Sequence, residues 1–212
     1  HAQLGIVMQM RNFAEADALA VSLGFAGVGA SIAHANANGS ATADVDGNIT
    51  GGNNLDVKAM GDNKARAQAD AATGGLVAVT VPIASAVASP TLTARLDGGA
   101  NVQGALVVEA NSLGEAKTET ISVTGGLAGV GSMTTESTVS PVLISAIGGG
   151  VITAKSVAVR SRHNFNSTKQ AEAKVKAAGV AGVGVQVNES TATAKANLDS
   201  YIAGGTKVTS PD

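Results

Sequence analysis

Apolar or small residues alternate with polar ones along most of the chain. Alanines occupy every second position across residues 65–71, and valines and an isoleucine do so across 77–83. This period of two, together with frequent Val, Thr and Ile, predicts half-buried β-strands. Residues 171–178 could also form a helix, because they are rich in Ala and Lys. Their counterparts at 65–70 and 115–120 alternate polar with small residues, so a strand is predicted here too.

The alternating segments belong to a repeat of 51 residues. Similar strands begin at positions 51 apart: Leu4, Leu55, Leu106 and Val157. An apolar residue precedes turn residues at the same interval: Val45, Leu96, Ile147 and Leu198. A glycine-rich apolar patch recurs at 24–29, 75–79, 126–131 and 179–184. The last patch lies 53 residues after the third. The fourth repeat is therefore predicted to gain about two residues near 162–166 and to lose about two before Leu198.

Repeated strand units with glycine turns predict an all-β fold, a parallel β-solenoid of about four 51-residue repeats. The approximate units are 4–54, 55–105, 106–156 and 157–207, within a single segment, 1–212. Each unit could be one wide coil or two coils of about 25 residues, and the lack of half-unit similarity favours one. Two ladders are predicted to stack at about 4.8 Å per layer: Leu55, Leu106 and Val157; and Leu96, Ile147 and Leu198. Separately, Gly27, Gly129 and Gly182 are each predicted to face another strand so closely that a Cβ would clash.

Composition narrows the class of protein. The 212 residues include 27 Gly, no Cys and no Trp, with 14% charged and 2% aromatic residues. Such small side chains favour stacked layers over a conventional core. The lack of Cys excludes disulfides and thiol chemistry. A net charge of −2 gives no electrostatic footprint for nucleic acid, and no apolar run reaches the roughly 18 residues of a membrane helix.

Candidate chemical sites are sparse. A metal site at His1 would need His34 or His163 nearby. Residues 44–48 resemble the start of a calcium loop but lack its third acidic ligand and its bidentate Glu, so a solvated turn is predicted. Residues 24–29 lack the Lys and Ser/Thr of a phosphate loop. No catalytic, cofactor-binding or metal-binding residue is therefore predicted, and the chain is predicted not to be an enzyme.

Three further patterns receive ordinary interpretations. The Thr-x-Thr segments at 91–93, 118–120 and 191–193 could bind ice, but they do not follow the repeat, so solvent-facing strand positions are predicted. The acids that a polysaccharide-processing enzyme would need to cluster are dispersed: Glu109, Glu115, Glu119 and Glu136. A locally basic fourth unit could contact an acidic glycan or another subunit, although a solvated face is the default: Arg160, Arg162, Lys169, Lys174 and Lys176.

The repeat resembles those of giant bacterial surface proteins, the filamentous haemagglutinin-like and leukotoxin-type filamentous adhesins. The resemblance rests on the Leu-x-Val strand, the alternating Ala/charged strand, the Gly-Gly-Leu-Ala-Gly-Val-Gly patch and the short Gly/Asp/Asn turn, and it covers all four units. It implies a β-helical rod that is secreted or held at the bacterial cell surface. It also implies adhesion to host or neighbouring-cell surfaces, or assembly of an extracellular fibre, and it supplies no catalytic residues.

The sequence and the resemblance together predict a structural role. The partners expected are identical copies or further repeats stacked end to end, with no nucleic acid and no membrane insertion. The alternative is a β-helical passenger domain with polysaccharide-processing or ice-binding activity. The two differ in one respect, since an enzyme should interrupt the ladder at a cleft where carboxylates converge.

Overall fold

The computed structural model describes residues 3–179 and 182–210, together with the backbone of residues 180 and 181. The described chain contains fourteen strands and no helix. The strands are β1 Gln3–Leu23, β2 Ala26–Ala37, β3 Ser40–Asp46, β4 Ile49–Thr50, β5 Asn54–Ala88, β6 Thr91–Asp97, β7 Ala100–Asn101, β8 Ala105–Val139, β9 Val142–Gly149, β10 Val151–Thr153, β11 Ser156–His163, β12 Ala171–Ala194, β13 Asn197–Ile202 and β14 Lys207–Thr209. The prediction of an all-β chain is confirmed.

All pairing is parallel and forms three sheets. The largest has the order β1-β5-β8-β11, with β2 also on β5 and β12 also on β8. The other two have the orders β3-β6-β9-β13 and β4-β7-β10-β14. Gln3 pairs with Asn54, and Leu55 pairs with Leu106, an offset of 51 residues that holds along β1, β5 and β8. Each strand therefore lies beside its counterpart in the next repeat unit.

The long strands β5 and β8 each reverse direction once. In β5 the odd residues from Leu55 to Thr73 are buried, whereas the even residues from Ala78 to Ala88 are buried after the bend at 74–77. The two halves therefore turn their buried sides toward each other. Hydroxyl groups meet across the gap in the next unit, where Thr118 and Ser137 are 2.9 Å apart. Each unit thus contributes a thin two-layered arm.

We call residues 14–23, 65–74, 116–125 and 171–179 the first layer of the arm. Residues 26–37, 77–88, 128–139 and 183–194 form its second layer. In the first two units alanine fills the space between the layers, and Ala67, Ala69 and Ala86 are fully buried. In the third unit Thr and Ser take most of these inward positions. Because sheets with larger inward residues would stand about 10 Å apart, the small side chains allow a closer approach.

The larger apolar side chains gather at the other end of each unit, which we call the base. There β6 and β7 close against the beginning of β5 and β8. Fully buried side chains include Leu55, Leu92, Leu96, Leu106, Leu143 and Ile147. The repeat thus has one conventional apolar core in the base and one core of mostly small side chains in the arm.

The predicted ladders are partly correct. Leu55 pairs with Leu106 and Leu106 with Val157, so the first ladder is confirmed. Leu96 pairs with Ile147, but Ile147 then pairs with Ile202. The predicted third member of that ladder, Leu198, is wrong because Leu198 pairs with Leu143.

The fourth unit also differs from its predicted length. Ala171 pairs with Ala116 and Gly184 with Gly129, an offset of 55. Since β13 keeps this offset on β9, the unit gains four residues after His163 and does not lose any before Leu198. Gly182 faces the neighbouring strand closely, as predicted, since an added Cβ would lie 3.2 Å from Leu127 O. The partner of Gly129 is Gly184, two residues further on. Gly-Val-x-Gly segments look alike after a shift of two, and a shift of two keeps every side chain on its face.

Candidate functional site

The four extra residues belong to a seven-residue loop between β11 and β12, which we call the 164–170 loop. Asn164 begins it with a positive φ of 48°, a conformation that Asn tolerates. Its backbone N–H donates to Ser112 O at 2.8 Å. Its side-chain Oδ1 accepts from Gly114 N–H at 2.8 Å, and Nδ2 donates to Gly114 O at 3.0 Å. The Asn164 amide therefore replaces the peptide group that the ladder would otherwise present to Gly114.

The loop is closed by its own hydrogen bonds. Ser167 N–H donates to Asn164 O at 3.1 Å, and Asn164 Nδ2 also donates to Lys169 O at 2.9 Å. Ala116 N–H then donates to Gln170 O at 3.3 Å, where the chain rejoins the ladder. The excursion starts and ends within a few residues of β8, so it leaves the neighbouring strands in register.

The loop folds over the outward face of the first strands. Lys169 forms an ion pair with Asp62, which is two units away in the stack. The Arg162 guanidinium lies 4.5 Å from the centroid of the Phe165 ring and 3.9 Å from a Glu109 carboxylate oxygen. Cation–π and ionic contacts of this kind hold the loop against the sheet.

A cleft of about 360 Å³ lies beside the loop. Its lining includes Gln9, Arg11, Met60, Asp62, Asn111 and Phe165. Asn111 Oδ1 is buried there without a hydrogen-bond partner, and Phe165 is 55% exposed. A cleft of this size with a few polar groups can hold a small polar molecule. Its one lining carboxylate, Asp62, is already paired with Lys169, so the lining offers no pair of free carboxylates for acid–base chemistry.

His34 and His163, the two candidate histidines among the described residues, are not brought together. His34 lies in β2 opposite Ser85, and His163 lies at the end of β11 opposite Ser112. His1 lies outside the described residues. Burial lowers the pKa of the His163 imidazole, against a smaller raising effect of the hydrogen bond with the Ser112 backbone. In the described part of the chain, no group of three or more His, Cys, Asp or Glu side chains could hold a metal ion.

The acidic and basic candidates mostly neutralise one another. Ion pairs join Glu109 to Arg162, Glu115 to Lys117, Glu119 to Lys176 and Glu172 to Lys174. Four of the five basic residues of the fourth unit are thus engaged within the chain, and Arg160 Nε is buried without a partner. The carboxylates stay dispersed along the sheet, as the sequence predicts.

Two other candidates have structural positions. Asn48 Oδ1 accepts a hydrogen bond from Gly99 N–H at 2.7 Å, so the 44–48 segment includes a turn bonded to the next unit. Thr118 and Thr120 are buried, and the prediction that they face solvent is wrong. In the first layer of the third unit, Thr118 and Thr120 replace the inward Ala67 and Ala69 of the second unit. The Thr118 hydroxyl meets Ser137 across the arm, whereas the buried Thr120 hydroxyl has no hydrogen-bond partner.

The second layer of the arm carries a feature that the sequence pattern did not reveal. The valines that mark the alternation at 77–83 lie on the outward side, and the even residues between them are buried. Val77 is 47% exposed, Val130 49% and Val185 60%. The odd and the even positions of this segment are both mostly small or apolar, so periodicity alone does not identify the buried side. The inward alanines of the second unit are the available signal, since small side chains suit a narrow arm.

These observations define the class of protein only as an all-β chain of parallel, stacked strands with a long side loop. The chain matches no family model, no curated protein and no solved structure. Among the described residues, no helix is long and apolar enough to cross a membrane.

Proposed function

We propose that the chain is a parallel β-solenoid segment of about four 51-residue repeats. In this proposal it is a structural part of a secreted or surface-attached bacterial filament or adhesin, and not an enzyme. The observation that carries the proposal is the parallel register, in which β1, β5, β8 and β11 pair with their counterparts 51 residues apart. β12 and β13 continue the parallel pairing at an offset of 55. Parallel stacking of identical units is the architecture of elongated repeat proteins.

The edges of the stack support assembly. Within the described residues, β1 pairs only with β5, and β12 pairs only with β8. Strands with one free side present unpaired N–H and C=O groups that can pair with another strand. The partners we propose are therefore further repeats or identical copies, stacked end to end. Repeat resemblance to filamentous adhesins adds the bacterial surface as the location and a host or neighbouring-cell surface as the target.

The architecture is tested by fibre diffraction and electron microscopy of the purified chain. Stacked units should give rods with a meridional reflection at about 4.8 Å, because this is the spacing of hydrogen-bonded strands. Globular particles without this reflection would contradict the solenoid filament.

The location is tested separately by labelling intact cells of the source bacterium with an antibody against the chain. Labelling of intact cells is expected, and an antibody against a cytoplasmic protein is the control. Labelling that appears only after permeabilisation would exclude a surface role and leave the architecture untouched.

A further inference from the structure

The outward side of the arm's second layer is a flat apolar surface, which we call the apolar face. It consists of every second residue at 26–32, 77–83, 128–134 and 183–189. Thirteen of its sixteen side chains are Ala, Val or Ile, and one is charged. The exceptions are Ser132, Thr134 and Glu189. Large exposed apolar patches on proteins mark interaction surfaces.

The fourth unit shows that this side stays apolar when the buried side does not. There the outward residues are Val183, Val185 and Val187, all at least 60% exposed. The residue between the last two, Gln186, turns inward, where its side chain approaches Gly131. A strand that faced only water would place the polar residue outside and the valines inside. The outward valines therefore match a surface that is covered in the working protein.

The opposite side of the arm has a different character. Near the base, the outward residues of the first layer form charged rows, in which Glu15 stacks on Arg66 and Arg66 on Lys117. Toward the tip of the arm, the outward residues include the exposed Leu19 and Val21. Glu15 and Arg66 lie 3.6 Å apart as an ion pair. A partner of like construction can bury the apolar face without desolvating charges only by offering its own apolar face. The charged side cannot serve as that partner.

The size of the apolar face suits such pairing. Four side chains, one at every second position along each of four stacked strands, cover about 26 by 19 Å, or about 500 Å² on each copy. Two copies together bury about 1,000 Å², the lower limit for a specific interface. Sheets with small and β-branched residues on facing sides pack at about 10 Å separation. Every further repeat adds to the buried area, so longer stacks bind more strongly.

We propose that the apolar face binds the same face of a second copy of this chain, which joins two stacks side by side. This inference rests on the proposed filament function and adds a lateral contact to the end-to-end one. Two copies related by a two-fold axis meet through the same surface, as in most homodimers. Glu189 lies at a corner of the apolar face and reaches solvent at the rim.

The first test introduces charge at the centre of the apolar face. The double variant Val79→Lys, Val130→Lys should have about half the sedimenting mass of the parent wherever side-by-side pairs dominate. The matched control, Gln9→Lys with Gln68→Lys, adds the same charge away from the apolar face, beside the cleft and on the first layer of the arm, and should sediment as the parent does. Equal far-UV circular dichroism of all three proteins shows that folding is retained. A double variant that sediments as the parent does would overturn the proposal.

The second test does not depend on a destabilising charge. The chain has no Cys, so Val130→Cys creates its single thiol. A bismaleimide spanning about 10 Å should link two Val130→Cys chains through paired faces, because end-to-end neighbours place the same residue about 19 Å apart. Gln68→Cys, on the charged side, should give little cross-linked dimer. Equal cross-linking of both variants, or of neither, would overturn the proposal.

The two assemblies fail separately. If the parent and the Val79→Lys, Val130→Lys variant both form linear rods and Val130→Cys chains do not cross-link, the proposed filament is retained and the lateral contact is excluded. Cross-linked pairs without any rods would retain the lateral contact and remove end-to-end stacking.

Discussion

Glycine and alanine determine how closely the repeat units approach one another. At the tip of the arm Gly75 and Gly126 have φ values of 156° and 159°, and an added Cβ on either would clash with a backbone carbonyl oxygen of the preceding unit. Three positions further on, Ala78 is fully buried between Gly27 and Gly129 in the same ladder. Glycines in one short patch thus have different requirements, which single substitutions can separate.

We predict that Gly126→Ala and Gly129→Ala differ in stability. Gly126→Ala should lower the free energy of unfolding by about 1–3 kcal/mol or more, because its Cβ overlaps Gly75 O, which belongs to backbone and cannot rotate away. Gly129→Ala should change it by less than about 0.5 kcal/mol, since Ala78 shows that the ladder accepts a methyl group. Denaturant unfolding measures both. The larger variant Gly129→Leu should overpack the arm by about 1–3 kcal/mol, and an unchanged melting temperature would contradict the close approach.

At the scale of elements, the 164–170 loop shows how a strand ladder can be interrupted and resumed. Asn164 supplies both a donor and an acceptor to Gly114, so the interruption leaves neither Gly114 backbone group unpaired. His163, directly before it, is half-buried, and its Nδ1 has no partner. These two neighbours give the loop a measurable contribution to stability and a measurable response to pH.

Asn164→Ala should lower the free energy of unfolding by about 1–3 kcal/mol, because Gly114 N–H and C=O lose their partners in a partly buried place. The control is Asn166→Ala, which also replaces an Asn of positive φ (53°) in the loop but removes none of the bonds to Gly114. Chemical denaturation of both variants gives the difference. Equal losses would show that backbone conformation, and not the amide, carries the effect.

Acidification should destabilise the protein through His163. Its pKa is lowered in the folded state, so below the usual value of about 6.5 the unfolded chain binds more protons than the folded one. The free energy of unfolding should therefore fall as the pH decreases from about 7 to about 5. His163→Gln should reduce this slope. Glu172, whose pKa is lowered by its hydrogen bond with Lys174, acts only below about pH 4.5, so a slope unchanged in His163→Gln would contradict the assignment.

The sequence predicts the strands and most of the register because one period links each unit to the next. Leu55, Leu106 and Val157 stack as predicted, since a 51-residue spacing leaves no competing partner. Prediction fails where the sequence is nearly self-similar, as at Gly182 and Gly184. The sequence also does not show which side of the second layer of the arm is buried, because Val79 and Ala78 both suit a buried position. The cleft beside Phe165 was beyond prediction, since it depends on side chains from all four units and on how the loop folds back.

At the scale of the whole molecule, the stack has two ends and one apolar side. The first unit leaves inward residues such as Ala16 half-buried, although their counterpart Ala67 in the second unit is fully buried. The difference arises because Ala67 has a neighbouring repeat unit on both sides, whereas Ala16 has one on one side only. End-to-end addition of a further unit would complete both the burial of the first unit's inward residues and the hydrogen bonds of its free strand edge.

End-to-end growth should therefore be blocked by an inward charge in the first unit. Ala16→Lys should lower the average mass of the assembled protein in analytical centrifugation, because an inward charge at an open edge opposes pairing with another strand. Asp17→Lys, an outward neighbour in the same strand, is the control. An unchanged mass in Ala16→Lys, or a parent protein that stays a compact monomer as its concentration rises, would contradict end-to-end stacking.

The closed ladder around Asn164 has a practical consequence for protein engineering. β11 and β12, which flank the loop, pair with nearby residues of β8. The middle of the loop can therefore be lengthened without moving any stacked strand. Each doubling of loop length costs only about 0.6 kcal/mol in closure entropy. An epitope or enzyme-recognition peptide inserted between Asn166 and Ser167 would then be displayed at one fixed height along every rod. The loop offers a place at which a regular scaffold can carry irregular cargo.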